Sequence, residues 1–194
     1  FPHQLILTAT PIPRTLAMSL YGNLDYSIID EMPKGRQNID TIALPEERRS
    51  EVLKKISAKC KDGNQVYWVC PLINESDVLE CKAAINTYEE LRTELKDINI
   101  GLIHGKMKMQ EKEKVMGDFR GKKIDLLVST TIIEVGLDVP NATVMIIENS
   151  ERMGLSQLHQ LRGRVGRGNK KSSCILIYKS GLTELAKTRI NILR

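Results

Sequence analysis

The residues best suited to chemistry form one run, Gln157-Leu158-His159-Gln160-Leu161-Arg162-Gly163-Arg164-Val165-Gly166-Arg167-Gly168. Its three arginines are spaced by small residues. A guanidinium is a planar fork of donors that can bind two phosphate oxygens at once, and glycine neighbours let it approach closely. The run therefore suits charge stabilisation on a phosphate. A basic surface turn is the competing reading. A dinucleotide-binding loop is a poorer reading, because Gly163, Gly166 and Gly168 run in the wrong order for GxGxxG.

Three further stretches carry reactive or phosphate-binding residue types. In Leu126–Pro140 an apolar run ends in Ser129-Thr130-Thr131, hydroxyls able to bind backbone phosphates, although such hydroxyls serve equally well as caps of a following helix. In the same stretch Gly136 permits close backbone approach and Asp138 can accept hydrogen bonds from a ribose. Gly101–Met107 places His104, Gly105 and Lys106 after a second apolar run, and Thr8-Ala9-Thr10-Pro11-Ile12-Pro13-Arg14 reads as a strand end turning into a helix. A lone histidine such as His104 is more often structural than catalytic.

These stretches need elements to position them. Strands are expected at Leu5–Thr8, Thr41–Leu44, Val66–Cys70, Ile100–His104, Ile124–Ser129, Thr143–Glu148 and Cys174–Tyr178. Helical spacing marks Val52/Leu53, Ile56 and Cys60; then Ala84, Tyr88, Leu91 and Leu95; then Val115, Met116 and Phe119. Gly63 and Gly121 stand where two of these helices should stop. Strand–helix alternation with nearly continuous apolar strands predicts an α/β fold, a mostly parallel sheet covered by helices on both faces. Ligands of such sheets collect beyond the carboxyl ends of the strands, which directs attention to the loops after His104, Ser129 and Glu148. The polar, Pro- and Gly-containing stretch at 34–40 reads as a linker. It separates residues 1–33, too few for a core of their own, from a domain at 41–180.

The chain has 194 residues, 41% hydrophobic and 27% charged, a composition that excludes wholesale disorder. No run approaches the roughly 18 apolar residues of a membrane span, and no export signal is visible. Residues 1–100 hold 12 Lys+Arg against 15 Asp+Glu, a net of −3, whereas residues 101–194 hold 17 against 9, a net of +8. A positive half points to a polyanion, although it also suits a solubilising surface. Cys60, Cys70, Cys81 and Cys174 make no CxxC pair and have no histidine at zinc-ligand spacing, so no metal site is expected and a reducing cytoplasm fits.

Taken in order, the four stretches resemble the later motifs of superfamily 2 helicases. Thr8–Pro11 is similar to motif III, Val66–Ile73 lies where motif IV falls, Ser129–Pro140 is similar to motif V, and Gln160–Arg167 matches the QxxGRxGR form of motif VI. Thr8–Met18, Tyr67–Ile73, Met145–Asn149 and Gln157–Gly168 together resemble the RecG family of bacterial branched-DNA helicases. The transcription-repair coupling factor also resembles Thr8–Thr15 and Gln157–Arg167 but is not expected to carry Tyr67–Ile73 in this form.

The resemblance implies the second RecA-like motor domain of an ATP-driven double-stranded DNA translocase that remodels stalled forks and Holliday junctions. It implies Arg164 and Arg167 as catalytic, Gly136, Asp138 and Gln160 as ATP-binding, Gly105, Lys106, Thr130 and Thr131 as DNA-binding, and Thr8 and Thr10 as coupling residues. Residues 1–33 would end the first motor domain, and 181–194 would begin a helical hairpin. No GxxxxGK[ST] phosphate loop occurs. The phosphate loop and Mg²⁺ ligands are therefore expected in a first motor domain before Phe1, and this stretch alone is expected not to hydrolyse ATP. A non-enzymatic nucleic-acid-binding module is the alternative from another class. Against it stand the arginine spacing and the scarcity of stacking platforms, eight aromatics in all.

Overall fold

The structure is a computed structural model that describes residues 27, 29, 31, 38–71, 77–130 and 139–194. The chain divides into two compact units, Phe1–Lys34 and Gly35–Arg194, and the sheet and its helices belong to the second. The expected strand at Leu5–Thr8 and the residues Thr8, Thr10, Thr131, Gly136 and Asp138 lie outside the described residues.

Among the described residues six strands form one sheet: β1 (Ile39–Pro45), β2 (Gln65–Val69), β3 (Ile100–Ile103), β4 (Leu126–Ser129), β5 (Ala142–Ile147) and β6 (Ser172–Tyr178). Their order is β1-β6-β5-β2-β4-β3. Every pairing is parallel, so the sheet is more uniform than the mostly parallel one expected. The helices are α1 (Arg49–Lys61), α2 (Asp77–Glu94), α3 (Met109–Arg120), α4 (Leu155–Arg162) and α5 (Glu184–Leu193). Short 3₁₀ turns occupy Glu46–Arg48 and Ser150–Arg152.

β2, β4 and β5 are buried along their whole length, which is why they read as unbroken apolar runs and not as alternating ones. Side-chain alternation divides them between two cores. Tyr67, Val69, Leu127, Met145 and Ile147 face Met116 and Phe119 of α3, Leu158 and Leu161 of α4, and Ile190 and Leu193 of α5. Trp68, Val66, Val128 and Ile146 face Val52 and Ile56 of α1 and Ala84 and Leu91 of α2. Each such large side chain, once buried, stabilises the fold by roughly 1.5–3 kcal/mol. Tyr67 and Phe119 meet with ring centroids 5.0 Å apart.

The turns explain where helices stop. α1 ends at Asp62, and Gly63 then takes a left-handed φ of 75° that costs glycine nothing. After α3 the left-handed residue is Lys122, at φ 58°, one position beyond Gly121. Buried Gln65 holds that turn to the sheet, its amide donating to the carbonyls of Phe119 and Ile124. β1 begins at Ile39, inside the stretch expected to be linker; at its start Ile39 and Thr41 are partly covered while Asp40 and Ile42 are exposed.

Candidate functional site

Pairing brings the carboxyl ends of four strands to one level. Ile103 pairs with Ser129, Ser129 with Val69, and Val69 with Ile147. The ladder runs one residue further, since Thr130 N–H donates to Ile103 O, Cys70 N–H to Ser129 O and Glu148 N–H to Val69 O. The next residues across the edge are therefore His104, Thr130, Cys70 and Glu148. Sequence segments dozens of residues apart are thus set in adjacent rows about 4.8 Å apart.

At the β3 end, Gly105 and Lys106 are exposed. Lys112, from α3, donates to Gly105 O at 3.0 Å and holds the loop against its helix. The Lys108 N–H that opens α3 is satisfied by the Glu111 carboxylate at 3.0 Å. Burial, and then the charge of Lys112, hold the His104 imidazole below its ordinary value against an opposing pull from Glu111, with Lys106 adding least. At the β4 end, Thr130 is only 1% exposed and its hydroxyl has no hydrogen-bond partner among the described residues. Of the expected DNA contacts that are described, only Gly105 and Lys106 are thus open to a phosphate in this arrangement.

The arginine run lies on and beyond α4. Helical spacing buries Leu158 and Leu161 and turns Gln160 to solvent. Gly154 N–H opens the helix by donating to the Gln157 side chain, and Gly163 N–H closes it on His159 O. The chain then turns sharply: Arg164 N–H donates to Leu161 O at 3.0 Å, Val165 is buried, and Gly166 takes φ 78°. Arg162 and Arg164 are half-buried. Arg167 is exposed, its Nε donating to Gly163 O at 3.4 Å. Gly168 then passes so close to Pro140 that an added Cβ would lie 2.8 Å from the Pro140 carbonyl oxygen. The arginine turn therefore abuts the end of the Leu126–Pro140 stretch, and two of the runs singled out by chemistry meet at one place.

One cluster lacked an obvious signal in the sequence. Arg49, the first residue of α1, donates from Nε to Glu148 Oε1 at 2.9 Å and from a terminal nitrogen to Glu90 Oε2 at 3.1 Å, with Glu94 at 3.9 Å. Its guanidinium lies 5.2 Å from the ring centre of fully buried Trp68, and the Cys70 thiol donates to Glu148 Oε2 at 3.7 Å. Burial works against the Arg49 charge, but Glu148, Glu90 and Glu94 outweigh it and raise the pKa above the ordinary arginine value. A charged residue directly after the buried run of β5 is the one hint the sequence offers. Among the described residues no group of side chains suits a metal ion, no helix is long and apolar enough to cross a membrane, and all four cysteines are free and buried.

The family model of the helicase conserved C-terminal domain matches residues 47–169. Over its whole length the chain is 56% identical to the ATP-dependent DNA helicase RecG of Escherichia coli (strain K12), and it covers 28% of that protein. It is 58% identical to the ATP-dependent DNA helicase RecG of Pasteurella multocida (strain Pm70), again covering 28%. It also resembles the solved structure of RecG bound to a three-way DNA junction, with a TM-score of 0.79 and 45% identity, over 95% of this chain and 24% of that one. The chain thus spans little more than a quarter of the length of the curated relatives it matches. With its parallel RecA-like sheet and its arginine turn, the chain belongs to the helicase conserved C-terminal domain family.

Proposed function

We propose that this chain is the second motor domain of an ATP-driven double-stranded DNA translocase that acts on branched DNA in repair and recombination, working in the cytoplasm. The observation that carries this reading is the identity of more than half the residues, along the entire chain, to RecG helicases. The junction-bound relative supports branched DNA as the partner.

In this reading ATP lies between this domain and a first motor domain that supplies the phosphate loop and Mg²⁺ ligands. ATP supplies the phosphoanhydride bond whose hydrolysis drives movement. The residues of this chain fit a triphosphate, for Arg164 and Arg167 stand on a turn where Gly163 and Gly166 carry no side chain to crowd them. Their guanidinium groups stabilise charge that builds on the γ-phosphoryl oxygens, an effect worth roughly 10³–10⁵ in rate in related enzymes. Gln160, exposed one turn earlier, and Gly136 and Asp138 hold the nucleotide from the same side. Gly105 and Lys106 bind the DNA backbone, with Thr131 as a further hydroxyl contact, and such contacts carry no base information. Thr8 and Thr10 transmit the nucleotide state between the domains.

The test is Arg167→Ala in the full-length enzyme. DNA-stimulated kcat should fall about a hundredfold or more while the KM for ATP changes far less. Arg167→Lys should restore little, because an ammonium lacks the planar fork. Near-normal turnover in both variants would overturn the assignment.

A further inference from the structure

The connections of the sheet leave one crevice unaccounted for. The chain leaves β2 toward α2 on one face and leaves the neighbouring β5 toward α4 on the other. Adjacent strands whose exits diverge in this way open a gap beyond their carboxyl ends, the place where parallel α/β sheets usually bind a ligand. Side chains of this domain meet there. Glu148 stands at the exit of β5 and Cys70 at the exit of β2, and Arg49 reaches between them from α1.

The contacts make this a clamp rather than a surface pair. The Glu148 backbone is held by Val69 O, one side-chain oxygen by Arg49 and the other by the Cys70 thiol. Arg49 is held in turn by Glu90 and by the face of Trp68, so that α1, α2, β2 and β5 converge on one guanidinium. Both charged side chains are largely shielded, 17% and 15% exposed. Immediately after the clamp, Asn149 takes a left-handed φ of 46°, a conformation costly for a residue other than glycine. The chain then makes the turn Ser150–Arg152, where the Ser150 hydroxyl donates to Ile177 O, and enters α4 at Leu155. The path from Glu148 to α4 is short, with the Asn149 bend as its first step.

We infer that Glu148, clamped by Arg49, is a positioning residue that fixes the exit of β5 and thereby the placement of α4 with Arg164 and Arg167. This rests on the proposed role of those arginines. In this role Glu148 acts only through the path it anchors. Loosening the clamp should let the Asn149 bend relax and α4 shift, misplacing the arginines in the transition state more than it weakens ground-state binding.

The experiment uses the full-length enzyme with Glu148→Gln, which keeps the shape of the side chain and removes its charge. Arg167→Ala serves as reference. Thr143→Val is the control, because Thr143 is a buried residue at the far end of the same strand, its hydroxyl bonded to Asn64. Hydrogen exchange of peptides covering 149–167 is measured beside steady-state ATP hydrolysis. Glu148→Gln should speed exchange there about tenfold, with Val66–Val69 unchanged. It should lower kcat about tenfold with the KM for ATP within about twofold. Arg49→Lys should do the same, and the double variant should be no worse than either single one, since both break one clamp. Thr143→Val should alter neither the exchange of 149–167 nor kcat.

Unchanged exchange at 149–167 in Glu148→Gln overturns the inference whatever the turnover. So does an equal fall of kcat in Thr143→Val, which would make the effect one of general stability. Faster exchange with normal turnover overturns it if Arg167→Ala is impaired. If Arg167→Ala also turns over normally, the proposed arginine role fails and the structural clamp stands.

Discussion

Two neighbouring arginines test what sets the strength of an ion pair in this fold. Arg48 bonds Glu51 through Nε and a terminal nitrogen, with the closest approach at 2.7 Å, and Arg49 meets Glu148 at 2.9 Å. Distance alone ranks Arg48 first. Burial reverses the order, since the Arg48–Glu51 side chains are 51% and 49% exposed and the Arg49–Glu148 side chains only 17% and 15%.

The replacement of each arginine by methionine keeps the aliphatic stem and deletes the charge. At Arg49 the lost charged hydrogen bond to Glu148 is worth roughly 1.5–3 kcal/mol. The face of Trp68 adds about 0.5–1 kcal/mol, and the exposed Glu90 and Glu94 add little. Relief of the Arg49 desolvation offsets part of this, while the shielded Glu148 carboxylate left without its partner adds to it, for a net loss of about 2–3 kcal/mol. With a urea slope of roughly 2 kcal/mol/M, the midpoint falls by about 1–1.5 M. Arg48→Met should leave it where it was. Unfolding should be followed by far-UV circular dichroism, because the single tryptophan of the chain, Trp68, lies beneath the guanidinium that is removed. Equal shifts in the two variants, or an Arg49→Met midpoint matching the parent, would show that desolvation cancels the attraction and refute the reasoning.

Three other outcomes are expected. His104 titrates below its ordinary 6.5, so the unfolded chain takes up the proton first as pH falls; stability from this group is intact above pH 6.5 and is lost as pH drops toward the folded value. Urea midpoints between pH 5 and pH 7.5 (a window of ~2.5 units) should decline more in the parent than in His104→Gln. Burial pushes the Cys60 and Cys174 thiols up to about 12, so at pH 8 a thiol reagent should find them inert until urea unfolds the domain, whereas prompt reaction in the native state would contradict their burial. Gly168→Ala should cost about 1–3 kcal/mol, because the new methyl meets a backbone carbonyl that cannot step aside, whereas Gly117→Ala, in open space on α3, should stabilise by roughly 0.5–1 kcal/mol.

The strands were legible because burial on both faces writes them as contiguous apolar runs, as in Val66–Val69 and Leu126–Val128. β1 was read short because Ile39 and Asp40 follow a polar stretch, and a strand covered on alternate residues looks like linker at its first step. α4 was read for its arginines and not for Leu155, Leu158 and Leu161, whose spacing marks its buried side. The chemistry of Gln157–Gly168 was visible because residue type and spacing are local. Its contact with Pro140 was not, since that depends on a strand order in which β5 lies between β6 and β2. The same holds for Arg49 and Glu148, 99 positions apart and joined only by the fold. Burial of Thr130 also escaped, because a hydroxyl at a strand end reads as a surface group until its neighbours are known.

The place of β1 in the sheet has a bearing on how the domain is made. Among the described residues β1 is an edge strand whose one partner is β6, and Ile39 sits opposite Ser172, 133 positions later in the chain. At about 5–20 residues per second of synthesis, β1 waits roughly 7–27 s beside a ribosome before that partner exists. Strands β5, β2, β4 and β3 can assemble among themselves in the meantime, around Trp68 and Tyr67. The edge formed by the first strand of the described residues is therefore sealed last, and until then Ile42, Leu44 and the open backbone of β1 are what a chaperone or a neighbouring nascent chain meets.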